Sequence, residues 1–160
     1  WGVGAMARPG WDAYYLGIAR AVAVRASCLR RQVGALIVVD NAIIATGYNG
    51  TPVGVRNCSD GGCPRCASDA PVGAGYDACI CVHAEQNAIV LAARHGNATN
   101  GGTLYTTLRP CFGCAKESIQ AGIREVVYGD PFEYGAGLED VYRRLITESG
   151  MLLRPAVNAV

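Results

Sequence analysis

The sequence predicts a single α/β domain in which strands alternate with helices. Short runs rich in β-branched residues recur along the chain, and segments with apolar residues at helical spacing lie between them. Strands that alternate with helices form layered α/β domains. A length of 160 residues with 51% hydrophobic residues suits one domain with a substantial core.

The first elements are a helix and a hairpin. Apolar residues recur at helical spacing over residues 11–25, which predicts a helix that packs on the rest of the domain. Residues 33–39 and 42–48 are rich in β-branched side chains and are separated only by Asp40 and Asn41. These two residue types favour tight turns, so we expect a β-hairpin here.

Regular periodicity is lost between residues 50 and 79, where glycine and proline are frequent. A loop of about 30 residues without structure of its own is unusual in a compact domain. We therefore expect some additional link to hold this segment in place.

The second half of the chain again alternates helices with strands. We predict helices at 84–94, 111–121 and 138–148, and strands at 103–108, 125–128 and 151–153. Glycines close to the ends of the three helices agree with these boundaries.

Charge and hydropathy limit the classes of partner. Fourteen Lys plus Arg residues against 13 Asp plus Glu residues give a net charge of +1, which argues against a basic groove for nucleic acid. No apolar run approaches the length of roughly 20 residues that spans a membrane. Residues 1–5 precede Met6 and are interpreted as an expression remnant. No secretory signal is visible, so cytoplasm is the expected compartment.

Eight cysteines in 160 residues indicate either disulfides or metal binding. The chain contains two Cys-x-x-Cys pairs and lacks a visible secretory signal. We therefore favour metal binding.

Two short motifs each open a predicted helix: Cys81-Val-His83-Ala-Glu85 and Pro110-Cys111-Phe-Gly-Cys114. One imidazole and two thiolates make three protein ligands for zinc and leave the fourth tetrahedral position open to water, as in catalytic sites. Either motif alone could be a helix cap, a redox pair or a structural site. Together they have the His-x-Glu and Pro-Cys-x-x-Cys pattern of zinc nucleobase deaminases.

The spacing agrees with that chemistry. Cys111 and Cys114 are three residues apart, so they share one helix face. His83 and Glu85 are two residues apart and can converge only at a helix start. Helix N-termini favour negative charge, which helps to keep thiolates ionised. Glu85 is the predicted general acid and base beside a metal-bound water.

Further motifs resemble the deoxycytidylate (dCMP) deaminase family within the cytidine deaminase-like superfold. The resemblance runs from about Trp11 to Tyr128. The segments that carry it are Cys28-Leu-Arg-Arg-Gln-Val-Gly-Ala, Thr46-Gly-Tyr-Asn-Gly-Thr-Pro, Asn57-Cys58, Gly62-Cys-Pro-Arg-Cys66, Cys79-Ile-Cys-Val-His-Ala-Glu-Gln-Asn-Ala and Ala121-Gly-Ile-Arg-Glu-Val-Val-Tyr.

The resemblance implies that residues 6–160 form one zinc-dependent deaminase domain of three α/β/α layers around a five-stranded mixed sheet. It implies zinc on His83, Cys111 and Cys114, with Glu85 moving protons while water replaces the amino group of a free nucleotide, dCMP becoming dUMP. The backbone at Ala84 would contact the pyrimidine edge and Asn49 the sugar, although Asn49 alone could equally belong to an ordinary turn. Relatives are commonly hexamers that dCTP activates and dTTP inhibits.

The remaining cysteines suffice for a second, structural zinc that would hold the long loop. The predicted ligands are Cys28 and Cys58, with two taken from Cys63, Cys66 and Cys79. Cys81 is expected to be packed as a free thiol. The alternative is that all of these cysteines are reduced and form a small core.

Two features depart from the family pattern. Arg109 stands where many relatives have a small or uncharged residue, and it could bind a phosphate or carboxylate or point to solvent or an interface. Phe132 stands near the usual position of a pocket-closing tyrosine, a role that Tyr134 could take instead. The pair Arg30-Arg31 could contact phosphate, but paired arginines are usually solvated or at interfaces, so we assign it no site.

These departures leave alternative functions open. A modified pyrimidine nucleotide or another amino-heterocycle could be the substrate. A deaminase acting on nucleic acid would need a basic groove, which the balanced charge disfavours. A non-catalytic zinc-binding regulator would have no use for the carboxylate of Glu85.

Overall fold

The computed structural model describes residues 8–71 and 74–157. The interpreted remnant at residues 1–5 lies outside them. The described residues form four α-helices and five strands. Their bounds are α1 (Trp11–Ala23), β1 (Gly34–Val39), β2 (Ala42–Tyr48), α2 (Ala84–Arg94), β3 (Thr103–Leu108), α3 (Phe112–Gln120), β4 (Glu125–Asp130), α4 (Ala136–Ser149) and β5 (Leu152–Pro155).

The strands form one mixed sheet in the order β2-β1-β3-β4-β5. Strand β1 pairs antiparallel with both β2 and β3, whereas β3, β4 and β5 run parallel to one another. The parallel pairs are connected through α3 and α4, as parallel strands require a crossover. The predicted five-stranded mixed sheet is confirmed.

The hairpin between β1 and β2 has the predicted two-residue turn. Asp40 and Asn41 both have positive φ angles, of 49° and 63°. Two successive left-handed residues form the turn whose twist matches that of paired strands, and Asp and Asn tolerate this conformation.

Helices cover both faces of the sheet. On one face, Leu16 and Ala19 of α1 pack against Leu36 and Val127. On the other face, α2, α3 and α4 pack on the alternate residues of the same strands, which include Ile37 and the fully buried Leu104 and Val126. Alternate residues of a strand point to opposite faces, so this arrangement confirms the predicted α/β/α layers.

Between residues 50 and 79, the residues that the structure describes (50–71 and 74–79) form two short 3-10 turns, Cys58–Asp60 and Tyr76–Ala78, besides the bridge from Gly50 to Val82. Predicted and observed element boundaries differ by two residues at most, as at the ends of α1, β4 and β5. None of the described helices has the length and apolar character needed to cross a membrane.

Gly47 in β2 lets α2 approach the sheet closely. A Cβ atom at this position would lie 2.1 Å from the carbonyl oxygen of Ala84 and 2.5 Å from the amide nitrogen of Ala88. Both are backbone atoms of α2, so a side chain cannot be accommodated by a rotamer change. The absence of a side chain at residue 47 therefore sets the position of the first turn of α2.

We expect Gly47→Ala to destabilise the fold by about 1–3 kcal/mol, because the extra methyl forces α2 away from β2. Urea denaturation of the metal-loaded protein measures this difference. Gly137→Ala is the matched control, since a Cβ at Gly137 in α4 meets nothing within 4 Å and alanine favours a helix. Equal stability of Gly47→Ala and the wild type would contradict this account.

Candidate metal centres

The structure brings together the three residues predicted as catalytic metal ligands. His83 Nδ1 lies 3.4 Å from Cys111 Sγ and 3.4 Å from Cys114 Sγ. The three ligand atoms all lie within 4.8 Å of one another. His83 and Cys111 each occupy the extended position immediately before a helix, at the starts of α2 and α3.

Gln86 joins the two helix starts. Its Oε1 accepts a hydrogen bond of 2.9 Å from the amide of His83, and its Nε2 donates one of 2.8 Å to Glu117 of α3. Sequence analysis did not single out Gln86. The signal was its position three residues after the residue that precedes α2, where Gln or Glu commonly bonds back to the chain.

The two thiols of this group cannot both ionise easily without a cation. The hydrogen bond with Cys114, helped by His83, lowers the pKa of the Cys111 thiol to about 4. The same contact and burial raise the pKa of Cys114. The contact with Cys111 also raises the pKa of His83. A divalent cation would let both thiols ionise, and one imidazole with two thiolates is a donor set that zinc prefers. The residues present therefore fit the metal.

Glu85 lies beside this group and is only 4% exposed. Its Oε2 lies 3.4 Å from Cys114 Sγ, and its Oε1 accepts a hydrogen bond of 3.2 Å from the hydroxyl of Thr106 in β3. Burial raises the pKa of the Glu85 carboxyl, which favours its holding a proton. Thr106 was not predicted, because nothing in a strand sequence indicates which polar residue will face a helix start.

A second group consists of four thiols: Cys58, Cys63, Cys66 and Cys81. Their sulfur atoms lie within 4.8 Å of one another, and those of Cys58 and Cys81 are 2.9 Å apart. Cys28 Sγ lies 3.8 Å from Cys66 Sγ, beside the group. We call Cys58, Cys63, Cys66 and Cys81 the cysteine cluster.

The cysteine cluster differs from the predicted set. Cys81, expected to be a packed free thiol, lies in it in place of Cys28, which was predicted as a ligand and stands beside the cluster. Of Cys63, Cys66 and Cys79, from which two were predicted, Cys63 and Cys66 belong to the cluster and Cys79 does not. The backbone of Val82 exchanges two hydrogen bonds with Gly50, of 2.8 and 3.2 Å, and this fixes Cys81 at the base of the loop. No local sequence pattern indicates this backbone pairing of Val82 with the distant Gly50.

In the cysteine cluster, as in the first group, one thiol has a lowered pKa and another has a raised pKa. Burial opposes ionisation of Cys63, but the backbone amides of Cys66 and Ile80 outweigh it and lower the pKa to about 6. Burial and the neighbouring Cys28 raise the pKa of Cys66 to about 12. Four sulfur ligands are typical of closed structural zinc sites.

Arg30 links the long loop at residues 50–79 to the chain just before β1. Its guanidinium donates hydrogen bonds of 2.7, 3.0 and 2.8 Å to the carbonyl oxygens of Ala70, Arg65 and Ser68. The guanidinium of Arg65 in turn lies 4.1 Å from the ring centroid of Tyr76. Arg30 is therefore engaged by backbone and is neither simply solvated nor directed at phosphate.

The two residues predicted to contact the pyrimidine and the sugar lie at the start of α2 and directly after β2. Ala84 is the first residue of α2 and is fully buried. Asn49 Oδ1 accepts a bond of 2.7 Å from the amide of Val33, and its Nδ2 donates one of 2.7 Å to the carbonyl of Arg31. An amide side chain has further bonding positions, so a sugar contact by Asn49 stays a prediction.

Arg109 requires a correction. It was predicted as a candidate substrate contact, with solvent or an interface as the alternative, but its Nη2 lies 2.8 Å from Glu139 Oε1, and its Nη1 bonds both Glu139 Oε2 and the carbonyl of Phe132. Both terminal nitrogens are thus used within the chain. Tyr134 is also engaged, because its hydroxyl accepts a hydrogen bond of 2.9 Å from the amide of Phe112.

Comparison with known proteins agrees with this geometry. A family model described as the cytidine and deoxycytidylate deaminase zinc-binding region matches residues 9–130. Deoxycytidylate deaminase of Schizosaccharomyces pombe is 47% identical over 156 residues, which cover 96% of this chain and 47% of that protein. The chain spans about half the length of this relative and of its Saccharomyces cerevisiae counterpart.

Viral relatives are closer in length. Deoxycytidylate deaminase of Mycobacterium phage D29 is 44% identical over 128 residues, which cover 77% of this chain and 97% of that protein. The crystal structure of dCMP deaminase from cyanophage S-TIM5 in complex with dCMP and dUMP is 27% identical, with a TM-score of 0.71. The structural match covers 94% of this chain and 99% of the cyanophage chain.

The region matched by the family model contains His83, Glu85, Cys111 and Cys114 as well as the cysteine cluster. It extends from just before α1 to the end of β4, and so includes four of the five strands. This chain belongs to the cytidine and deoxycytidylate deaminase zinc-binding family.

Proposed function

We propose that this chain hydrolyses the 4-amino group of free dCMP and releases dUMP and ammonia. The observation that carries the proposal is the buried carboxyl of Glu85, 3.4 Å from Cys114 in the group of His83, Cys111 and Cys114. Support for the substrate comes from relatives named deoxycytidylate deaminase, among them the phage D29 protein, whose length the alignment almost fully covers.

His83, Cys111 and Cys114 would hold a zinc ion and leave one position open. Zinc bound there would lower the pKa of a coordinated water to roughly 7 and so make it a nucleophile near neutral pH. Because both cysteines lie at the start of α3, the helix dipole helps to keep their sulfurs anionic.

Glu85 would carry the protons of the reaction. It takes a proton from the attacking water and delivers that proton to N3 of the pyrimidine as the new C4–O bond forms. It then takes the remaining proton from the new hydroxyl on C4 and delivers it to the amino nitrogen as C4=O forms, the C4–N bond breaks, N3 keeps its proton and ammonia leaves. Burial raises the pKa of the Glu85 carboxyl, and a raised pKa suits a group that has to release protons as well as accept them.

Residues around Glu85 would orient the nucleotide. We propose that the backbone at Ala84 contacts the pyrimidine edge and that Asn49 contacts the sugar. Phe132 and Tyr134 would border the base, since Tyr134 bonds the amide of Phe112, next to Cys111.

The cysteine cluster supports a second zinc with a structural role. Cys58, Cys63, Cys66 and Cys81 provide four sulfurs, the number that a closed site needs. Bound zinc would link the loop, through Cys58, Cys63 and Cys66, to the segment immediately before α2.

We also propose a hexameric assembly, regulation by dCTP and dTTP, and a cytoplasmic location. The assembly and the effectors are proposed from the resemblance to the dCMP deaminase family. Light scattering of the purified protein tests the assembly, and added dCTP and dTTP in the rate assay test the effectors.

Ammonia release from a substrate panel tests the activity. The panel contains dCMP, dCTP, CMP, deoxycytidine, 5-substituted dCMP, several aminated heterocycles and a single-stranded oligonucleotide. We expect dCMP to be the best substrate. A faster rate on a modified pyrimidine or another heterocycle would reassign the substrate, and turnover only of the oligonucleotide would overturn the proposal.

We expect Glu85→Ala to retain zinc and lose turnover of dCMP by at least about 10²–10⁴-fold, the usual contribution of a general acid or base. Steady-state rates and zinc content measure the two effects. Glu148→Ala, on the exposed end of α4, is the control and should match the wild type. Near-wild-type turnover of Glu85→Ala would exclude its proposed role.

For the first metal group, we expect Cys114→Ala to lower the zinc content of dialysed protein by one equivalent per chain, because two protein ligands rarely hold zinc. Elemental analysis measures the content. Cys79→Ala is the matched control, since Cys79 lies outside both groups, and it should leave the content unchanged. Full zinc content in Cys114→Ala would argue against this ligand set.

For the cysteine cluster, we expect Cys63→Ala to remove the other equivalent of zinc and to lower the thermal midpoint, because metal binding there contributes folding free energy. Cys63 is fully buried, and without it the cysteine cluster retains three sulfurs, whereas a closed structural site needs four ligands. A wild-type protein that binds only one zinc per chain would disprove the second site.

A further inference from the structure

Arg109 and Glu139 form a buried ion pair between the loop after β3 and helix α4. Both residues are 7% exposed. The guanidinium and carboxylate bond through both terminal nitrogens and both oxygens, at 2.8 and 3.1 Å. The guanidinium carbon also lies 4.3 Å from the ring centroid of Tyr142. The pKa of Glu139 is lowered to about 2, mainly by its hydrogen bonds with Arg109.

The same two side chains hold residues 131–135, which we call the covering segment. Arg109 Nη1 donates to the carbonyl of Phe132, and Glu139 Oε2 accepts a bond of 3.1 Å from the amide of Tyr134. The backbone amide of Arg109 donates to Asp130 at 2.9 Å, just before the covering segment. The ion pair therefore holds the covering segment by the backbone of two of its residues, Phe132 and Tyr134.

The covering segment contacts the start of α3, where two proposed zinc ligands lie. The hydroxyl of Tyr134 accepts a bond from the amide of Phe112, and the two rings have centroids 4.9 Å apart. Tyr142 closes the arrangement, because its hydroxyl donates a bond of 2.9 Å to the carbonyl of Pro110. A continuous set of contacts thus runs from Glu139 to the residues on either side of Cys111.

We propose that Arg109 and Glu139 are positioning residues, which place Phe132 and Tyr134 beside the substrate through the covering segment. The inference rests on the proposed deaminase activity. An arginine at position 109 has both a carboxylate partner in Glu139 and a backbone acceptor, the carbonyl of Phe132, in the covering segment.

Stability alone does not account for this pair. Replacing a buried ion pair with apolar residues of similar volume is often neutral or stabilising, whereas removing one partner leaves a costly unpaired charge. Methionines could fill the same volume. They could not bond the carbonyl of Phe132 or the amide of Tyr134, and these directional bonds are what the ion pair contributes to the covering segment.

The test compares Arg109→Met, Glu139→Met and the double variant with the wild type. Thermal midpoint, zinc content, kcat and KM for dCMP, and hydrogen exchange of the Phe112 and Tyr134 amides are measured for each. We expect both single variants to be less stable and the double variant to recover most of the loss. We expect KM of the double variant to stay raised by about tenfold with little change in kcat, as for lost substrate binding.

The amide exchange does not depend on activity. We expect the Phe112 and Tyr134 amides to exchange at least tenfold faster in the double variant, with both zinc equivalents retained. If the wild type fails to turn over dCMP, the proposed function fails. The exchange rates then still decide whether the ion pair holds the covering segment.

Arg154→Met is the matched control. It removes an arginine that pairs with Asp12 and Glu125, at 2.5 and 2.7 Å, on the opposite face of the sheet from α3. We expect a lower thermal midpoint with unchanged KM. Should the double variant fail to fold, Arg109→Lys keeps the charge without the two-pronged geometry, and it should raise KM while keeping zinc.

Three results would overturn the proposal. Wild-type KM and amide exchange in the double variant would make the pair purely structural. Loss of zinc in the double variant would mean that the pair acts on Cys111 itself. A lowered KM in Glu139→Met would mean that the freed Arg109 binds the substrate phosphate directly.

Discussion

The metal site depends on one geometric constraint: the first turns of α2 and α3 must lie side by side. The proposed ligands stand at or just inside these two helix starts, so each is placed by backbone rather than by a long flexible side chain. Gly47 allows α2 to sit directly against β2, and Gln86 joins α2 to Glu117 of α3. Strand β3 leads within a few residues into α3. These three features together bring His83, Cys111 and Cys114 close to one another.

A second effect of the same arrangement is the environment of Glu85. A residue in the first turn of a helix that packs tightly on a sheet has little access to water. The carboxyl of Glu85 therefore faces Thr106 and Cys114 and carries a raised pKa. Burial, and not a dedicated charged partner, is the main cause of that shift. The packing of α2 thus provides both the position and the acid–base character of this residue.

The parts of the structure that depend on local chemistry could be predicted from the sequence. Apolar periodicity located the helices and strands, and Asp40 with Asn41 indicated the hairpin turn. The two motifs at helix starts identified the residues that the structure brings together around His83. For the helices, strands and turn, the information lies within a few residues of the feature, where spacing and geometry are directly related. The two motifs are 28 residues apart at His83 and Cys111, and their meeting was predicted from the combined pattern of zinc deaminases.

Contacts between distant segments could not be predicted in the same way. Glu139 lies 30 residues after Arg109, and no pattern in either stretch indicates that they meet. Arg109 was therefore interpreted as a substrate contact from its place beside the Pro-Cys motif. Likewise, Cys58 and Cys81 are 23 residues apart, and the place of Cys81, instead of the predicted Cys28, in the cysteine cluster depends on the pairing of Val82 with Gly50.

The tripeptide from Cys81 to His83 belongs to both groups of ligands at once. Its middle residue, Val82, is held by two backbone bonds to Gly50, so its side chain is not what the pairing requires. One inserted residue would lengthen an extended chain by about 3.3–3.6 Å and turn one of the two ligands to the opposite side. A different side chain at position 82 would therefore leave this backbone pairing intact, whereas an insertion or deletion here would move Cys81 or His83 out of its group of proposed ligands.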